Sequence, residues 1–219
     1  MKLGHASPAV RWVDLSGVAF DGPFFQHPVN RLAERESLVL PLGATPAGDA
    51  QPWLVPSAFV FHVWRCRSTL LCNIFRALND THVVAEPQLL MALLGPYSAT
   101  LWPCTEAEWA PKRDALLLHM MQWLGQPPTS SATRYIVKLA SYSAMRMGVI
   151  RALGPDVPIL FLVRDPAEVM VSNLGRRPVW MNLLQRPAQA RIEEVTKTTS
   201  RTLPKRHALK PTAGLKAIA

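Results

Sequence analysis

Four short apolar runs stand out in the middle of the chain, and none of them alternates regularly with polar residues. They are rich in β-branched and aromatic side chains, a composition that predicts strands buried on both faces. The runs cover residues 59–63, 83–85, 135–139 and 158–163. Because Pro87 closes the second run, we expect Glu86 to lie at the carboxyl end of that strand in an extended conformation.

Segments with apolar residues at helical spacing separate these runs. One helix is predicted to begin at Ser68, which is a suitable capping or first residue. Its predicted apolar face consists of Leu70, Leu71, Ile74, Phe75 and Leu78. A further helix is predicted over residues 143–153, where Gly154 and Pro155 end the pattern.

Two other helices carry recognisable start signals. Residues 105–124 have helical spacing, and Thr105 and Glu108 match a capping box at the beginning of this segment. The pair Asp165 and Pro166 predicts an N-cap followed by proline at the first helical position. We expect this last helix to continue to about Leu174.

Strands that alternate with helices predict the α/β class, here a three-layer sandwich with a central parallel sheet. In such sheets ligands bind beyond the carboxyl ends of the strands. The residues at the four predicted exits are the loop 65–69, Glu86, Lys138 and Arg164. Every exit therefore carries an ionisable group, and we expect a binding or catalytic site at this edge of the sheet.

The length of 219 residues suits one domain with a substantial core. We expect a lead-in segment over residues 1–52 with a linker at 42–49, a main domain over 53–178 and a basic, disordered tail over 179–219. The net charge of +9 suggests a polyanion partner. However, residues 1–175 hold 14 basic and 13 acidic side chains, and the remainder holds 10 and 2. The main domain is nearly neutral, so any anion binding there depends on individual cationic side chains and not on the net charge.

Cysteine content and hydropathy exclude several classes. The three cysteines, Cys66, Cys72 and Cys104, show neither paired spacing nor a zinc-ligand pattern, so reduced thiols and no metal are expected. Cys66 lies in an electropositive loop, which favours the thiolate. No run of about 18 apolar residues is present, and the first residues lack a signal-peptide pattern, so we expect a cytoplasmic protein without a membrane span.

The loop after the first predicted strand is suited to an anion. A strand, a tight loop and a helix N-terminus direct unpaired backbone N–H groups at one place. Two arginines and two hydroxyls, Arg65, Arg67, Ser68 and Thr69, add charge-assisted hydrogen bonds for a phosphate. The glycine-rich pattern of nucleoside triphosphatases is absent because no glycine lies between Gly48 and Gly95, which disfavours ATP or GTP hydrolysis.

Two motifs in this order resemble a known family. The first is the run His62-Val63-Trp64-Arg65-Cys66-Arg67-Ser68-Thr69-Leu70-Leu71, which is similar to the 5′-phosphosulfate loop of bacterial sulfotransferases, His-x-x-Arg-Cys-Gly-Ser-Thr-Leu. The second is Arg164 after a strand with Ser172 eight residues later, which resembles the 3′-phosphate motif of that family. The resemblance covers roughly residues 9–178 and includes the segments around Glu86 and Lys138.

The resemblance implies a fold similar to P-loop kinases and 3′-phosphoadenosine 5′-phosphosulfate as co-substrate. The sulfuryl group would pass to a hydroxyl or amine of a small-molecule or glycan acceptor, and no metal is implied. Glu86 is the implied general base, and Lys138 would neutralise charge on the leaving phosphate. The implied donor-binding residues are Arg65, Cys66, Arg67, Ser68, Thr69, Leu70, Arg164 and Ser172.

Three departures from the family pattern leave alternatives open. Arg67 replaces a glycine whose positive φ lets the backbone approach phosphate, and Ala140 stands where many relatives carry a polar residue. Relatives usually continue beyond the 3′-phosphate helix, so we expect a fold that is incomplete at its C-terminus. The alternatives are a catalytically impaired remnant, a small-molecule kinase, and a binder of nucleic acid or of an anionic surface through the basic tail. Nucleic acid is disfavoured because no recognition motif is present.

Overall fold

The computed structural model describes most of the chain between the first strand and the last helix. The described residues are 9–15, 18, 22, 24–32, 37–41, 52–95, 105–127 and 131–175. The predicted linker at 42–49 and the predicted tail at 179–219 lie outside them. Within the described residues, no helix combines the length and the apolar character needed to cross a membrane.

The N-terminal part forms a small antiparallel ribbon. Strand β1, Ala9–Val13, pairs with β2, Ser37–Pro41, so that Arg11 lies opposite Val39. Helix α1, Gln26–Arg31, lies between the two strands in sequence. This arrangement corresponds to part of the predicted lead-in segment.

A four-stranded parallel sheet forms the centre of the molecule. Its strands are β3, Ala58–His62; β4, Thr81–Ala85; β5, Arg134–Lys138; and β6, Ile159–Leu162. The order across the sheet is β4-β5-β3-β6, and all three pairings are parallel. All four predicted strands are therefore confirmed, with bounds within two residues of those expected.

Helices connect the strands and cover both faces of the sheet. They are α2, Ser68–Arg76; α3, Gln88–Leu94; α4, Glu106–Leu124; a 3-10 helix, Ser141–Arg146, continued by α5, Met147–Leu153; and α6, Pro166–Gly175. The capping box of α4 is present, since the Thr105 hydroxyl accepts from the Glu108 N–H at 3.3 Å. The predicted cap of α6 is also confirmed, because the Asp165 carboxylate accepts from the Ala167 N–H at 2.8 Å.

The core consists of two layers because successive side chains of a strand point to opposite faces. Phe59 and Phe61 of β3 pack with residues of α3, α4 and α5 in the larger cluster. Val60 of the same strand packs with Cys72 of α2 and Ile136 of β5 in the smaller one. The predicted α/β three-layer arrangement around a parallel sheet is therefore confirmed at this level.

Two expectations about the burial of these elements were wrong, and one helix starts earlier than expected. Leu70 and Ile74 were assigned to the buried face of α2, but each is 55% exposed, and Ser68 and Cys72 are buried instead. The predicted helix over 143–153 is confirmed, with a start two residues earlier at Ser141 and 3-10 geometry in its first turns. The last strand was expected to be buried on both faces, yet β6 is an edge strand and its Phe161 is 43% exposed.

Candidate functional site

The parallel pairing brings the strand exits to one edge of the sheet. Lys138, the last residue of β5, lies opposite both Ala85 of β4 and Val60 of β3. Beyond the strands, the Glu86 N–H still donates to the Lys138 carbonyl at 2.8 Å. The side chains of His62 and Lys138 lie on the same face of the sheet as α2, because Val60 and Ile136 of these strands pack there.

The loop after β3 turns sharply through two left-handed residues. Arg65 has φ 62° and Arg67 has φ 64°, a region in which a side chain is strained by about 1–2 kcal/mol. Arg67 is the N-cap of α2, its side chain is exposed, and its carbonyl accepts from the Leu70 N–H at 3.0 Å. Ser68 is buried, whereas Thr69 is half-buried. Arg67, which stands where the sulfotransferase pattern has glycine, therefore has a backbone conformation that favours glycine.

Arg164 connects this loop to the exit of β6. Its Nη1 donates to the carbonyl oxygen of Arg65 at 3.1 Å, a contact between residues 99 positions apart. Its Nε donates to the Glu168 carboxylate one turn into α6. Ser172 lies further along α6 and is half-buried. The two candidate anion motifs, predicted separately, therefore meet at Arg65 and Arg164.

Glu86 is the centre of a buried charge cluster. The Lys138 side chain is 1% exposed, and its ammonium donates to Glu86 Oε1. His62 Nε2 lies 3.5 Å from the same Glu86 oxygen. The Phe24 ring lies 5.5 Å from Lys138 Nζ, which gives that cation an additional aromatic contact. A buried lysine needs such partners because an uncompensated charge in the interior is costly.

The cluster shifts the ionisation of its members. Burial raises the pKa of Glu86, but contact with His62 and Lys138 outweighs it and holds the pKa below its ordinary value. Burial alone would lower the pKa of His62, yet the Cys66 thiol and the Glu86 carboxylate raise it to about 9. Burial raises the pKa of Cys66, but contact with His62 and Ser68 lowers it overall. These shifts favour the ionised carboxylate of Glu86 and the protonated imidazole of His62 at neutral pH.

The backbone of Glu86 differs from the expectation. A residue before proline normally adopts an extended conformation, and this was predicted for Glu86, but its φ is 52°. The conformation directs the chain away from β4 while the N–H still bonds to Lys138. The expected extended conformation is therefore wrong, and Glu86 makes a left-handed turn with its carboxylate beside the Lys138 ammonium.

The sequence interpretation missed three contributors. His62 was not among the predicted site residues, although a histidine in an apolar strand just before a basic loop was a visible signal. Glu168 follows Arg164 by four residues in a helix, the spacing at which side chains pair, and that signal was also available. No local pattern marked Phe24, because its contact with Lys138 depends on how the N-terminal part packs.

The edge as a whole gathers several cationic side chains around one carboxylate. The cations of the loop, His62, Lys138 and Arg164 occupy adjacent exits, and Glu86 supplies a proton acceptor among them. Comparisons of the chain with protein-family models, with curated proteins and with solved structures found no match. The functional interpretation therefore depends on the geometry of these exits.

Proposed function

We propose that the protein is a sulfotransferase that binds 3′-phosphoadenosine 5′-phosphosulfate at the carboxyl edge of its parallel sheet. The observation that carries the proposal is the hydrogen bond from Arg164 to the Arg65 carbonyl. It supports a single ligand site because it joins the two loops whose motifs resemble the 5′- and 3′-phosphate sites of the family. One nucleotide with phosphates at both ends suits two cationic loops in contact.

The donor would be held by the loop and by the two helices that follow β3 and β6. The 5′-phosphosulfate would take the N–H groups at the start of α2, with Arg65, Cys66, Arg67, Ser68, Thr69 and Leu70 in this segment. The 3′-phosphate would take Arg164 and Ser172. The 3′-phosphate of the donor would compete with the Glu168 carboxylate for the Arg164 guanidinium.

The reaction would use the charge cluster beside this loop. Glu86 would accept the proton of the acceptor hydroxyl or amine as the acceptor attacks sulfur and the bond to the 5′-phosphate oxygen breaks. Its low pKa makes it a weak base, so it would act mainly after its pair with Lys138 is loosened. Lys138 would then stabilise negative charge on the leaving phosphate. A small-molecule or glycan acceptor fits this reaction type.

The proposal is tested by calorimetric titration with 3′-phosphoadenosine 5′-phosphate. We expect Arg164→Ala to weaken binding by roughly 10–100-fold, the effect of losing charge-assisted hydrogen bonds of about 1.5–3 kcal/mol. The matched control is Arg134→Ala, which removes an exposed arginine at the opposite end of β5, where it pairs with Asp80. Adenosine 5′-phosphate, which lacks the 3′-phosphate, should show little dependence on Arg164.

Absence of heat with the wild-type protein, or equal losses in both arginine variants, would sink the proposal. Transfer itself is measured as release of 3′-phosphoadenosine 5′-phosphate from the donor in the presence of acceptor mixtures. Glu86→Gln should abolish this release while leaving nucleotide affinity within a few-fold of wild type. An unchanged rate in Glu86→Gln would remove Glu86 from the reaction.

A donor-binding protein without transferase activity is the second candidate. The observation that favours it is the direct ion pair between Glu86 and Lys138, because both proposed catalytic groups are engaged with one another. The same titration separates the two candidates. Binding that depends on Arg164, without release of product from any acceptor, would favour this candidate.

A further inference from the structure

Helix α6 presents an apolar stripe to solvent. The residues of this stripe recur at i, i+3, i+4 and i+7, the spacing that normally faces a protein core. None of the described side chains of α6 is buried, however, and Met170, Val171 and Leu174 are 68%, 69% and 81% exposed. We call this surface the α6 stripe, and it consists of Ala167, Met170, Val171 and Leu174.

The opposite side of α6 is more polar, yet it is the side that is partly buried. Val169, Ser172 and Asn173 are half-buried, and at about 3.6 residues per turn they lie across the helix from the α6 stripe. Two of these three residues are polar, whereas all four stripe residues are apolar. A helix turned this way leaves its most hydrophobic surface in solvent, which marks a contact surface for a partner.

We propose that the α6 stripe is the interface of a homodimer, in which two copies of α6 pack antiparallel about a two-fold axis. An axis midway along the stripe, between Met170 and Val171, sets Ala167 of each copy opposite Leu174 of the other. The smallest side chain of the stripe then faces a large one at both ends, which close packing between helices favours. In a parallel pair, Ala167 would face Ala167 and leave a gap. The stripe is therefore complementary in size to a second, antiparallel copy of itself.

The charges at the two ends of α6 favour the same orientation. The beginning of the helix carries Asp165 and Glu168 together with Arg164, a net charge of −1. At the other end, Arg176 and Arg177 follow the helix directly in the sequence, a net charge of +2. An antiparallel pair brings the acidic end of each copy to the basic end of the other, and it also opposes the two helix dipoles. A second copy of this chain is therefore the occupant that size and charge both favour.

The dimer and the proposed nucleotide site use different sides of the same region. Arg164 directs Nη1 to the Arg65 carbonyl, and Ser172 lies on the half-buried side of α6. The α6 stripe includes neither residue. The inference therefore does not rest on the proposed function, and the two are tested by separate measurements.

Sedimentation equilibrium of the full-length protein between about 1 and 100 µM measures the association. We expect the mass to rise from that of a monomer towards that of a dimer in this range, since a pair of short helices is a small interface. Met170→Lys places a charge beside the two-fold axis and should raise the dissociation constant roughly tenfold or more. The matched control is Leu118→Lys, which places the same charge at an apolar, 43% exposed position of α4. A wild-type mass that stays monomeric, or an equal effect of both variants, would overturn the inference.

Disulfide cross-linking under mild oxidation measures the orientation of the two helices. Met170→Cys should link to itself across the axis. Ala167→Cys should not, because the two copies of this position lie about 10 Å apart along an antiparallel pair, and disulfide-linked Cα atoms lie within about 7 Å. A mixture of Ala167→Cys and Leu174→Cys should link, and the wild-type protein gives the background from the native cysteines. Ala167→Cys that links to itself as well as Met170→Cys does would overturn the antiparallel pairing.

The other occupants of the α6 stripe are distinguished by thiol labelling of Met170→Cys. A monomer in which this cysteine reacts slowly until urea is added would show that residues 176–219 of the same chain cover the stripe, and would overturn the dimer. A monomer that is labelled rapidly would show an uncovered stripe, which also contradicts it.

Failure of the dimer and failure of the proposed function give different results. Met170→Lys should bind 3′-phosphoadenosine 5′-phosphate as the wild-type protein does, within a few-fold. Dimerisation that depends on Met170, without nucleotide binding in either protein, would support the interface and count against the proposed function. Nucleotide binding that depends on Arg164 in a monomeric protein would have the opposite meaning.

Discussion

Three residues with positive φ mark the candidate site. Arg65, Arg67 and Glu86 all have φ between 52° and 64°, and all lie just beyond strands of the central sheet. Conformations of this kind cost free energy and persist where the surrounding structure requires them, often at functional sites. The sequence predicted ionisable groups at these exits from strand position. It did not predict the φ of Glu86, because the effect of Pro87 favoured an extended residue and the pairing with Lys138 overrode it.

Arg67→Gly should stabilise the protein. Glycine removes the strain of a left-handed side chain, which stabilises the folded state by about 1–2 kcal/mol. The greater conformational freedom of glycine in the unfolded chain offsets this by about 0.5–1 kcal/mol. The net expectation is a gain of about 0.5–1 kcal/mol in the free energy of unfolding, measured with urea. The control is Arg67→Ala, which removes the same exposed guanidinium and keeps the strain. An equal gain in both variants would assign the effect to the side chain instead.

Glu86→Gln should destabilise the protein in a pH-dependent way. It leaves the Lys138 charge buried without its counter-ion, and breaking a buried pair costs about 3–5 kcal/mol. The folded-state pKa of Glu86 lies below its ordinary value of 4.5, so its ionisation stabilises the fold above that pH and the contribution is lost as pH falls below it. The difference between wild type and variant should therefore shrink from pH 6 to pH 3.

Urea unfolding at several pH values measures this difference. The double variant Glu86→Gln/Lys138→Met serves as the control, because it removes both charges and should be less destabilised than the sum of the single variants. A wild-type to variant difference that stays constant down to pH 3 would contradict the assigned ionisation of Glu86.

At the scale of elements, apolar runs located strands reliably, but exposure depended on neighbours in the sheet. The runs predicted β3 and β6 equally well, yet β3 is central and fully buried while β6 is an edge strand. In the same way, the apolar residues of α2 span a wide arc, and only the side of the helix around Cys72 is buried against the sheet. Strand order and helix rotation are decided by long-range packing, which a local pattern does not contain.

The two phenylalanines of β3 and β6 provide a direct test of this difference. Phe59 is 2% exposed in the larger core cluster, so Phe59→Ala should cost about 3–5 kcal/mol. Phe161 is 43% exposed, so Phe161→Ala, its matched control, should cost about 1 kcal/mol or less. Urea unfolding of both variants measures the two values. Comparable losses would show that β6 is covered as thoroughly as β3.

At the scale of the whole molecule, the N-terminal part contributes to the core and to the site. Trp12 of β1 packs edge to face on Trp123 of α4, with ring centroids 4.9 Å apart. The Phe25 N–H donates to the Ala85 carbonyl at 2.8 Å, next to Glu86. The sequence predicted a lead-in segment here, because its short apolar stretches and prolines gave no sign of the partner surface. Contacts of this kind form between distant segments, so they were outside the reach of local patterns.

Trp12→Ala should therefore destabilise the central fold, although Trp12 lies well before the predicted main domain at 53–178. The variant loses an aromatic pair of about 0.5–1.5 kcal/mol together with the apolar area that Trp12 covers on α4, and we expect a total of about 1–3 kcal/mol. The free energy of urea unfolding measures this total, and hydrogen exchange of the α4 amides locates it.

Val39→Ala is the matched control on β2, since Val39 is 61% exposed. If the two variants lost equal stability and α4 kept its protection, the ribbon of β1 and β2 would be energetically separate from the sheet. A larger loss for Trp12 with faster exchange in α4 would instead make the first strand a structural part of the domain, because an independent lead-in segment has no means of protecting amides in α4.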